Sequence, residues 1–508
     1  MGALLGWLLY VVNFSGSVAM FVEEIKVWED PIQRATAAQV VPLQPIIDAL
    51  VREVNGPLEF IEVTRPSPGN ALYQLRARYT HAEESHTLNR YYSIDTGIQE
   101  EPRAGDGVAL WLKNFHRYLA IEPKSLGRAL VGLTGVYMLA LILTGVVVHR
   151  RILRDLLKVR WSRSLSVKWK DLHNATGLWT LPFAVVIAFS GIMVGAIVLF
   201  GGVAALSLSA SNPENLEKLE NLLADHRVDK SLHGPMPMVS ADVAMANVAK
   251  MDGFAPLGVS IQRYGDRNAA YAVLASSRLD LAYLAPVPID AVSGEPVVGG
   301  YTPIVEGLPD SVATRIFSAM TPLHYGLYGN TTLKLLYYFL GLAVSICVVV
   351  GMLLYFEKRL DGPTGHFSHR TYHWLAVINA GILAGLPLAT VLIFYLDRLL
   401  FNVGDTRYAI VGIGFFAAWV ACTVYCLWLQ NARQGARHIM LLTVVLGLTL
   451  PVFDLATVGS GSANPAVMVI HGVILSSAAG LLLYLRSSPS DPKTAMVTGR
   501  PGTDTLEN

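Results

Sequence analysis

Long apolar runs separated by polar segments make up most of this chain. A helix rising about 1.5 Å per residue needs about 20 apolar residues to cross a hydrocarbon core of about 30 Å. Six uncharged runs meet that length, namely residues 2–22, 129–148, 175–200, 335–356, 374–396 and 408–429. Residues 438–453 and 465–485 predict a last helical hairpin, although the first of these runs is short and Asp454 follows it directly. The pattern therefore predicts eight membrane spans.

The polar segments divide into two long insertions and several short loops. Residues 23–128 follow the first run and residues 201–334 follow the third. The chain is 53% hydrophobic and only 15% charged, which is too apolar for an ordinary soluble protein. We therefore expect a polytopic α-helical membrane protein with two α+β domains inserted between spans 1 and 2 and between spans 3 and 4. The net charge of +1 argues against a nucleic-acid partner.

Basic residues in the short loops predict the orientation. The loop 150–170 is rich in Arg and Lys, whereas the loop 454–464 has none. Short basic loops stay in the cytoplasm, so both insertions should lie outside, in the periplasm of a bacterial inner membrane. Both termini are then cytoplasmic. The first run lacks a basic leader and a cleavage site of small residues before Glu23, so it is interpreted as a retained anchor.

These boundaries define the expected organisation of the chain. It comprises a first span (1–22), a first outer domain (23–128), two spans around a basic loop (129–200), a second outer domain (201–334), a fourth span (335–356), a four-helix membrane tail (357–485) and a disordered cytoplasmic tail (486–508). The three cysteines, Cys347, Cys422 and Cys426, all fall inside spans, so no disulfide framework is expected outside.

The first 360 residues contain a duplication. Span 1 carries NFSG and span 3 carries AFSG, and an insertion follows each. Both insertions show a helix-like segment, then strand-like segments, then an I-D turn ending in glycine. Each insertion returns to the membrane through a segment that opens with a histidine, His116 in the first repeat and His324 in the second. The unit of span, outer domain and span therefore occurs twice.

Histidines mark two depths of the predicted bundle. His116 and His324 precede the outer ends of spans, while His149 and His173 bracket the cytoplasmic loop. A single histidine at a helix end is usually a surface or capping residue, but these positions are linked by the repeat. Two layers of paired imidazoles suit two b-type haems, each iron taking two axial nitrogens from different helices. No C-x-x-C-H motif is present, so the haem should be held non-covalently.

Two other roles for these histidines fit the sequence less well. A zinc site needs a third and a fourth ligand at set spacing, and the sequence has neither an H-E-x-x-H motif nor a cysteine pair to supply them. A proton relay would include carboxylates within the spans, and the six uncharged runs contain none. Haem ligation is favoured.

The repeat leaves one histidine position empty. His173 precedes the serine of AFSG, and its counterpart before NFSG would fall just upstream of Met1. Either the natural start lies further upstream or three of the four positions suffice. His149 is the alternative partner of His173. We expect that an N-terminally extended chain gains haem and that His149→Ala leaves the spectrum unchanged.

Several segments resemble the PepSY-associated transmembrane family of bacterial inner-membrane proteins, which includes iron-regulated ferric-siderophore reductases. The resemblance runs from residue 3 to about residue 400. It is carried by GWLLYVVNFSG, FHRYL, GLTGVYMLALILTGVVVHRRILRDLL, DLHNATGLWTLPF, LHYG and INAGILAGLPLA. The resemblance implies that four histidines hold two haems. His116 and His324 match the outer pair, His173 matches one inner ligand, and His149 matches a histidine of longer members.

The resemblance also implies a function. Such a protein is a haem-dependent oxidoreductase that passes electrons across the membrane and reduces a ferric siderophore on the periplasmic side, with no catalytic side chain of its own. The chain has no nucleotide-binding fingerprint, so electrons should come from a quinol or a separate reductase. Lipid and other iron-uptake membrane proteins are further expected partners. The alternative is a non-enzymatic protein whose PepSY-like domains bind peptides or regulate a protease.

Overall fold

The computed structural model describes most of the chain. Its described residues are 2–34, 40–54, 56–65, 71–81, 84–102, 106–148, 165–211, 234–267, 269–277, 284–297, 312–361, 368–400, 403–458 and 463–487. The helices in these ranges are α1 (Gly2–Ala19), α2 (Val22–Glu29), a 3-10 turn (Pro31–Arg34), α3 (Gln44–Glu53), α4 (Val108–Tyr118), α5 (Lys124–Val148), α6 (Leu165–Ser211), α7 (Ala241–Ala249), α8 (Val312–Tyr325), α9 (Thr331–Asp361), α10 (His369–Leu399), α11 (Arg407–Leu429), α12 (Ala432–Val458) and α13 (Pro465–Ser487). The strands are β1 (Leu58–Thr64), β2 (Leu72–His81), β3 (Glu84–Ser93), β4 (Gln99–Glu100), β5 (Phe254–Gln262), β6 (Ala270–Ser277) and β7 (Leu284–Ile289).

Within the described ranges, eight helices are long and apolar enough to cross a membrane: α1, α5, α6, α9, α10, α11, α12 and α13. The prediction of eight spans is confirmed, and the chain is a multi-pass membrane protein. Two boundaries differ from the predicted ones. The first helix ends at Ala19 and a separate short helix, α2, follows it. The seventh helix is not short, because it continues through Asp454 to Val458.

Asp454 does not end its helix because arginines surround it. Its carboxylate is fully buried and accepts from Arg34 Nη2 at 2.8 Å and from Arg398 Nε at 2.9 Å. Asp397, just beyond the predicted fifth span, likewise accepts from Arg407 Nε at 2.8 Å. Paired charges can be buried where an isolated charge is expensive. These ion pairs join the segment after α1 to the tail helices α10 to α13.

The two insertions form one antiparallel sheet of seven strands. Its order is β4-β3-β2-β1-β5-β6-β7, so the first strand of each insertion pairs with the first strand of the other. The prediction of two α+β insertions is confirmed, and the shared sheet is a feature that the sequence did not predict. Gly258 lies at this seam, where an added Cβ would lie 2.1 Å from the carbonyl oxygen of Val63. Only glycine allows such a close approach.

Helices α3 and α7 cover one face of the sheet and meet at their N-termini. The Asp242 carboxylate accepts from the backbone N–H groups of Leu43 and Gln44 at 2.8 and 2.9 Å. In return, the Gln44 side chain accepts from Ala241 N at 2.8 Å. These bonds satisfy amides that a helix start leaves unpaired. They fix the two insertions as one body above the membrane helices.

Candidate functional site

His116 and His324 occupy matching places in the two repeats. His116 lies near the C-terminal end of α4 and His324 near the C-terminal end of α8, and each helix leads into a spanning helix. The chain turns sharply after both. Leu119 adopts a φ of 53° after α4, and Gly326 adopts a φ of 63° after α8. The left-handed turns bring each histidine back over the end of the bundle, on the side that carries the sheet.

The two imidazoles face each other across the bundle. Their ring centres are 6.4 Å apart and the ring planes differ by 18°. Metal–imidazole bonds of about 2 Å on either side of one ion place two ring centres roughly 6 Å apart. The structure thus brings together the two residues that the sequence assigned to the outer site, at a separation that one six-coordinate metal could bridge.

A serine of the neighbouring span holds the Nδ1 atom of each ring. Ser15 Oγ on α1 lies 3.3 Å from His116 Nδ1 and donates its own proton to the Val12 carbonyl at 3.2 Å. Ser190 Oγ on α6 lies 3.1 Å from His324 Nδ1 and donates to the Val186 carbonyl at 2.6 Å. The Val12 and Ile187 carbonyls also hydrogen-bond the rings of His116 and His324, and a carbonyl can only accept. With each serine proton directed to a carbonyl, the serine oxygen can accept from an Nδ1–H group.

This arrangement fixes the tautomer of each imidazole. With the proton on Nδ1, the lone pair is on Nε2 and is free to bind a metal. Ligating histidines commonly donate their other ring N–H to a fixed acceptor in this way. Burial lowers the pKa of His116 to about 3, helped by the charge of nearby His324, and burial lowers the pKa of His324 to about 4. Both rings are therefore neutral at pH 7, the form that binds metals.

A glycine follows each serine and makes room for the ring. A Cβ on Gly16 would lie 2.8 Å from Cε1 of His116, and a Cβ on Gly191 would lie 3.0 Å from Cε1 of His324. Real Cβ atoms essentially never show a contact as short as the one at Gly16, and the contact at Gly191 is unusually tight, so a larger residue would push against the ring in both repeats. The repeated F-S-G sequence is thus a cradle, with the serine holding Nδ1 and the glycine supporting the ring.

His173 lies at the other end of α6 and has a similar cradle. Its Nδ1 lies 2.9 Å from the Cys347 carbonyl oxygen of α9, which can only accept. A Cβ on Gly351 of α9 would lie 3.2 Å from His173 Cε1. The ring is again fixed as the Nδ1–H tautomer, with Nε2 free. His173 and Ser190 are separated by most of the bundle, about 25 Å at about 1.5 Å per helical residue.

The partner of His173 is not identified by the structure. His149 lies outside the described residues, so its pairing with His173 stays a prediction. Within the ranges that the structure describes, no group of three or more His, Cys, Asp or Glu side chains could hold a metal ion. A pair of imidazoles suits haem, whose porphyrin supplies the other four nitrogens, better than zinc, which takes about four protein ligands.

Sequence reasoning missed the residues around these histidines. The F-S-G repeat was recognised, but it was used only to align the two halves. The serine and glycine roles depend on which helix face meets the returning histidine, and a single sequence does not show this. His471 on α13 lies beside the buried Asp454. Its Nε2 lies 3.3 Å from Asp454 Oδ2 and accepts from Trp28 Nε1 at 3.3 Å, so it belongs to the buried ion-pair region of the tail.

The known proteins that this chain resembles match its repeat-containing part. An uncharacterized protein of Pseudomonas aeruginosa is 26% identical over 302 residues, which cover 56% of this chain and 70% of that protein. The family model described as the PepSY-associated TM region matches residues 1–358. This range contains both repeats, the shared sheet and the three described histidines of the candidate site. The chain belongs to the family of proteins with a PepSY-associated TM region.

Proposed function

We propose that this protein is a haem-dependent electron carrier of the bacterial inner membrane that reduces a ferric siderophore on the side of the sheet. The observation that carries the proposal is the pair formed by His116 and His324. Both rings are neutral, both are held through Nδ1, and both keep Nε2 free. Two unrelated surface histidines would have no reason to share all three properties.

The residues fit b-type haem at the sheet side. His116 and His324 would supply the axial nitrogens, and Ser15 and Ser190 would orient them. Haem held by two imidazoles supplies a reversible one-electron couple with no open position for oxygen. The glycines of the two cradles keep the space around the rings open. His173 would serve a second haem near the opposite side.

The surroundings of His116 favour an anionic ferric chelate as the substrate. Lys113 lies one helical turn before His116, and burial together with the positive charges of Lys26 and Arg117 lowers its pKa, while Glu23, which forms an ion pair with Lys26 at 2.9 Å, acts the other way. The excess of cations over anions in this group attracts anionic ligands. Ferric iron binds hard oxygen donors tightly, and one added electron weakens that hold. Reduction beside His116 would thus release iron and leave the chelator intact.

The electron donor and the orientation follow from the same proposal. Electrons would enter at the His173 side, from a quinol in the lipid or from a separate reductase. In this proposal that side is cytoplasmic, the sheet is periplasmic and both termini are cytoplasmic, an orientation that the basic loop 150–170 favours. Released iron would pass to other iron-uptake proteins of the membrane.

The visible spectrum of the purified full chain tests the proposal. After expression with adequate haem supply, we expect a bis-imidazole b-type spectrum and full extraction of the haem by acid and acetone. Reduced protein should then be reoxidised by an anionic ferric chelate. A spectrum without haem would contradict the proposal and favour the alternative, in which the sheet domains bind peptides or regulate a protease. Haem that stays on the polypeptide in a denaturing gel would contradict non-covalent binding.

A further inference from the structure

We propose that Ser15 and Ser190 are positioning residues that set the redox potential of the sheet-side haem. This inference rests on the proposed function, because it assigns a role at the same site. Both serines are almost completely buried, with exposures of 3% and 0%. Each lies on a different span from the histidine that it contacts, so the contact is made by packing between helices.

The hydrogen bond between each serine and its histidine has a preferred direction. A buried helical serine usually donates its proton to the carbonyl three or four residues earlier. Ser15 and Ser190 do this, and the bond leaves only lone pairs on Oγ for the imidazole. The oxygen can therefore accept from Nδ1–H but cannot donate to Nδ1. The opposite tautomer would place two lone pairs face to face and would put the proton on the nitrogen that must bind the metal.

The same geometry appears independently in both repeats. The two Oγ to Nδ1 distances are 3.3 and 3.1 Å, and the two serines stand at the same place in the F-S-G sequences. Ser17 provides the contrast within α1. It is also buried, at 5% exposure, and donates to the Asn13 carbonyl at 2.8 Å, yet no imidazole contact is found for it. Burial and intrahelical bonding alone do not produce the pairing.

The hydrogen bond should lower the redox potential. An Nδ1–H group that donates to oxygen makes the imidazole a stronger electron donor, which favours ferric over ferrous iron. Loss of the serine oxygen weakens this effect, because only the backbone carbonyl of Val12 or Ile187 remains as an acceptor, and it makes the tautomer that cannot bind the metal easier to adopt. Alanine at either position should therefore shift the potential to more positive values and weaken haem retention.

A spectroelectrochemical titration of the purified holoprotein tests this. We expect positive shifts for Ser15→Ala and for Ser190→Ala, and a larger shift for the double variant. Ser15→Thr and Ser190→Thr keep the oxygen and should restore the wild-type value. Ser17→Ala is the matched control and should leave the potential unchanged. Unchanged potentials in the alanine variants, or an equal shift in Ser17→Ala, would overturn the proposal.

A second measurement separates this inference from the proposed function. Imidazole ¹⁵N chemical shifts of the haem-free full chain, assigned with the His116→Ala and His324→Ala variants, report which nitrogen carries the proton. We expect the Nδ1–H tautomer in the wild type and a tautomer mixture in the serine-to-alanine variants. If the wild type never binds haem but shows this change, the serine contact is confirmed and the haem function is wrong. An Nε2–H tautomer in the wild type would overturn the serine role itself.

Discussion

The sheet-side histidines and His173 are held by similar cradles in which different chemical groups contact the ring. At the sheet side each ring hydrogen-bonds a serine hydroxyl and a backbone carbonyl of the neighbouring span, whereas at the opposite side His173 Nδ1 lies 2.9 Å from the carbonyl oxygen and 3.4 Å from Sγ of Cys347. A glycine supports the ring in every case. A side-chain acceptor can be changed by substitution, but a backbone acceptor cannot be removed so simply. Each site therefore has a backbone oxygen that substitution leaves in place and a side chain that substitution can change, a hydroxyl at the sheet side and a thiol at the opposite side.

The two sites also differ in how much of each the chain supplies. The sheet-side site has both histidines in view, 6.4 Å apart between ring centres. His173 has its cradle but has no imidazole partner among the described residues.

The largest effect is expected from removing a sheet-side ligand. In His116→Ala or His324→Ala, one of the two nitrogens that would hold the iron is lost, and no third imidazole contacts the pair among the residues that the structure describes. Haem content should fall by about one per chain, and ferric-chelate reduction should fall to background. Haem extraction and chelate reduction by the pre-reduced protein measure both effects. His369→Ala, at the exposed start of α10, is the control, and full activity in either ligand variant would exclude this site.

We expect His173→Ala to affect electron transfer without affecting the sheet-side haem. This variant should keep the sheet-side haem but lose electron transfer from the opposite side, because the two positions are about 25 Å apart along α6. The protein in liposomes, with the donor inside and the ferric chelate outside, tests this. Reduction across the membrane should stop, while a small reductant added to the chelate side should still reduce the remaining haem. Unchanged transfer across the membrane would show that His173 carries no electrons.

Glycine-to-alanine variants should show which of the two cradles packs more tightly against its histidine ring. The added methyl group of Gly16→Ala would lie 2.8 Å from the His116 ring, and that of Gly351→Ala would lie 3.2 Å from the His173 ring. Overpacking of this kind costs about 1–3 kcal/mol. We expect haem to dissociate faster from both variants, and more so from Gly16→Ala. Gly480→Ala, which has no atom within 4 Å of the added group, controls for the general effect of alanine in a helix. Equal dissociation rates in all three proteins would contradict the cradle.

The smallest effect is expected from His149→Ala. The repeat assigns the partner of His173 to the position before the first F-S-G sequence and not to His149. Haem content and the visible spectrum should therefore match those of the wild type. A loss of about one haem per chain, with a change from a bis-imidazole spectrum to a mixed one, would instead identify His149 as the second ligand.

The spans were predictable because their apolar runs respond to a single strong force, the cost of exposing polar groups to lipid. The end of the seventh span was not predictable, because the charge of Asp454 is offset by Arg34, which lies 420 residues away in the sequence. The shared sheet escaped prediction for the same reason, since the β1–β5 pairing joins segments about 200 residues apart. Long-range partners decide both features, and periodicity does not reveal them.

The site was predictable in part. The repeat identified His116 and His324 as a pair because two copies of one pattern carry more information than either copy alone. The acceptors for Nδ1 could not be predicted, because a hydroxyl on a helix faces a partner only after the helices pack. Ser15 and Ser17 have similar burial, and only packing distinguishes the serine that meets an imidazole from the one that does not.

The seam between β1 and β5 has a consequence for how this protein arose. Val63 and Val259 hold equivalent places in their own hairpins, pairing with Leu75 and Val273. The seam pairs them with each other, and the flanking pairs exchange places under a half-turn: Ile61 with Ile261 and Arg65 with Leu257. This is the symmetry of an interface between two identical subunits. An ancestor with a single copy of the repeat could have built the same sheet as a homodimer, and fusion of two copies would have freed each to diverge.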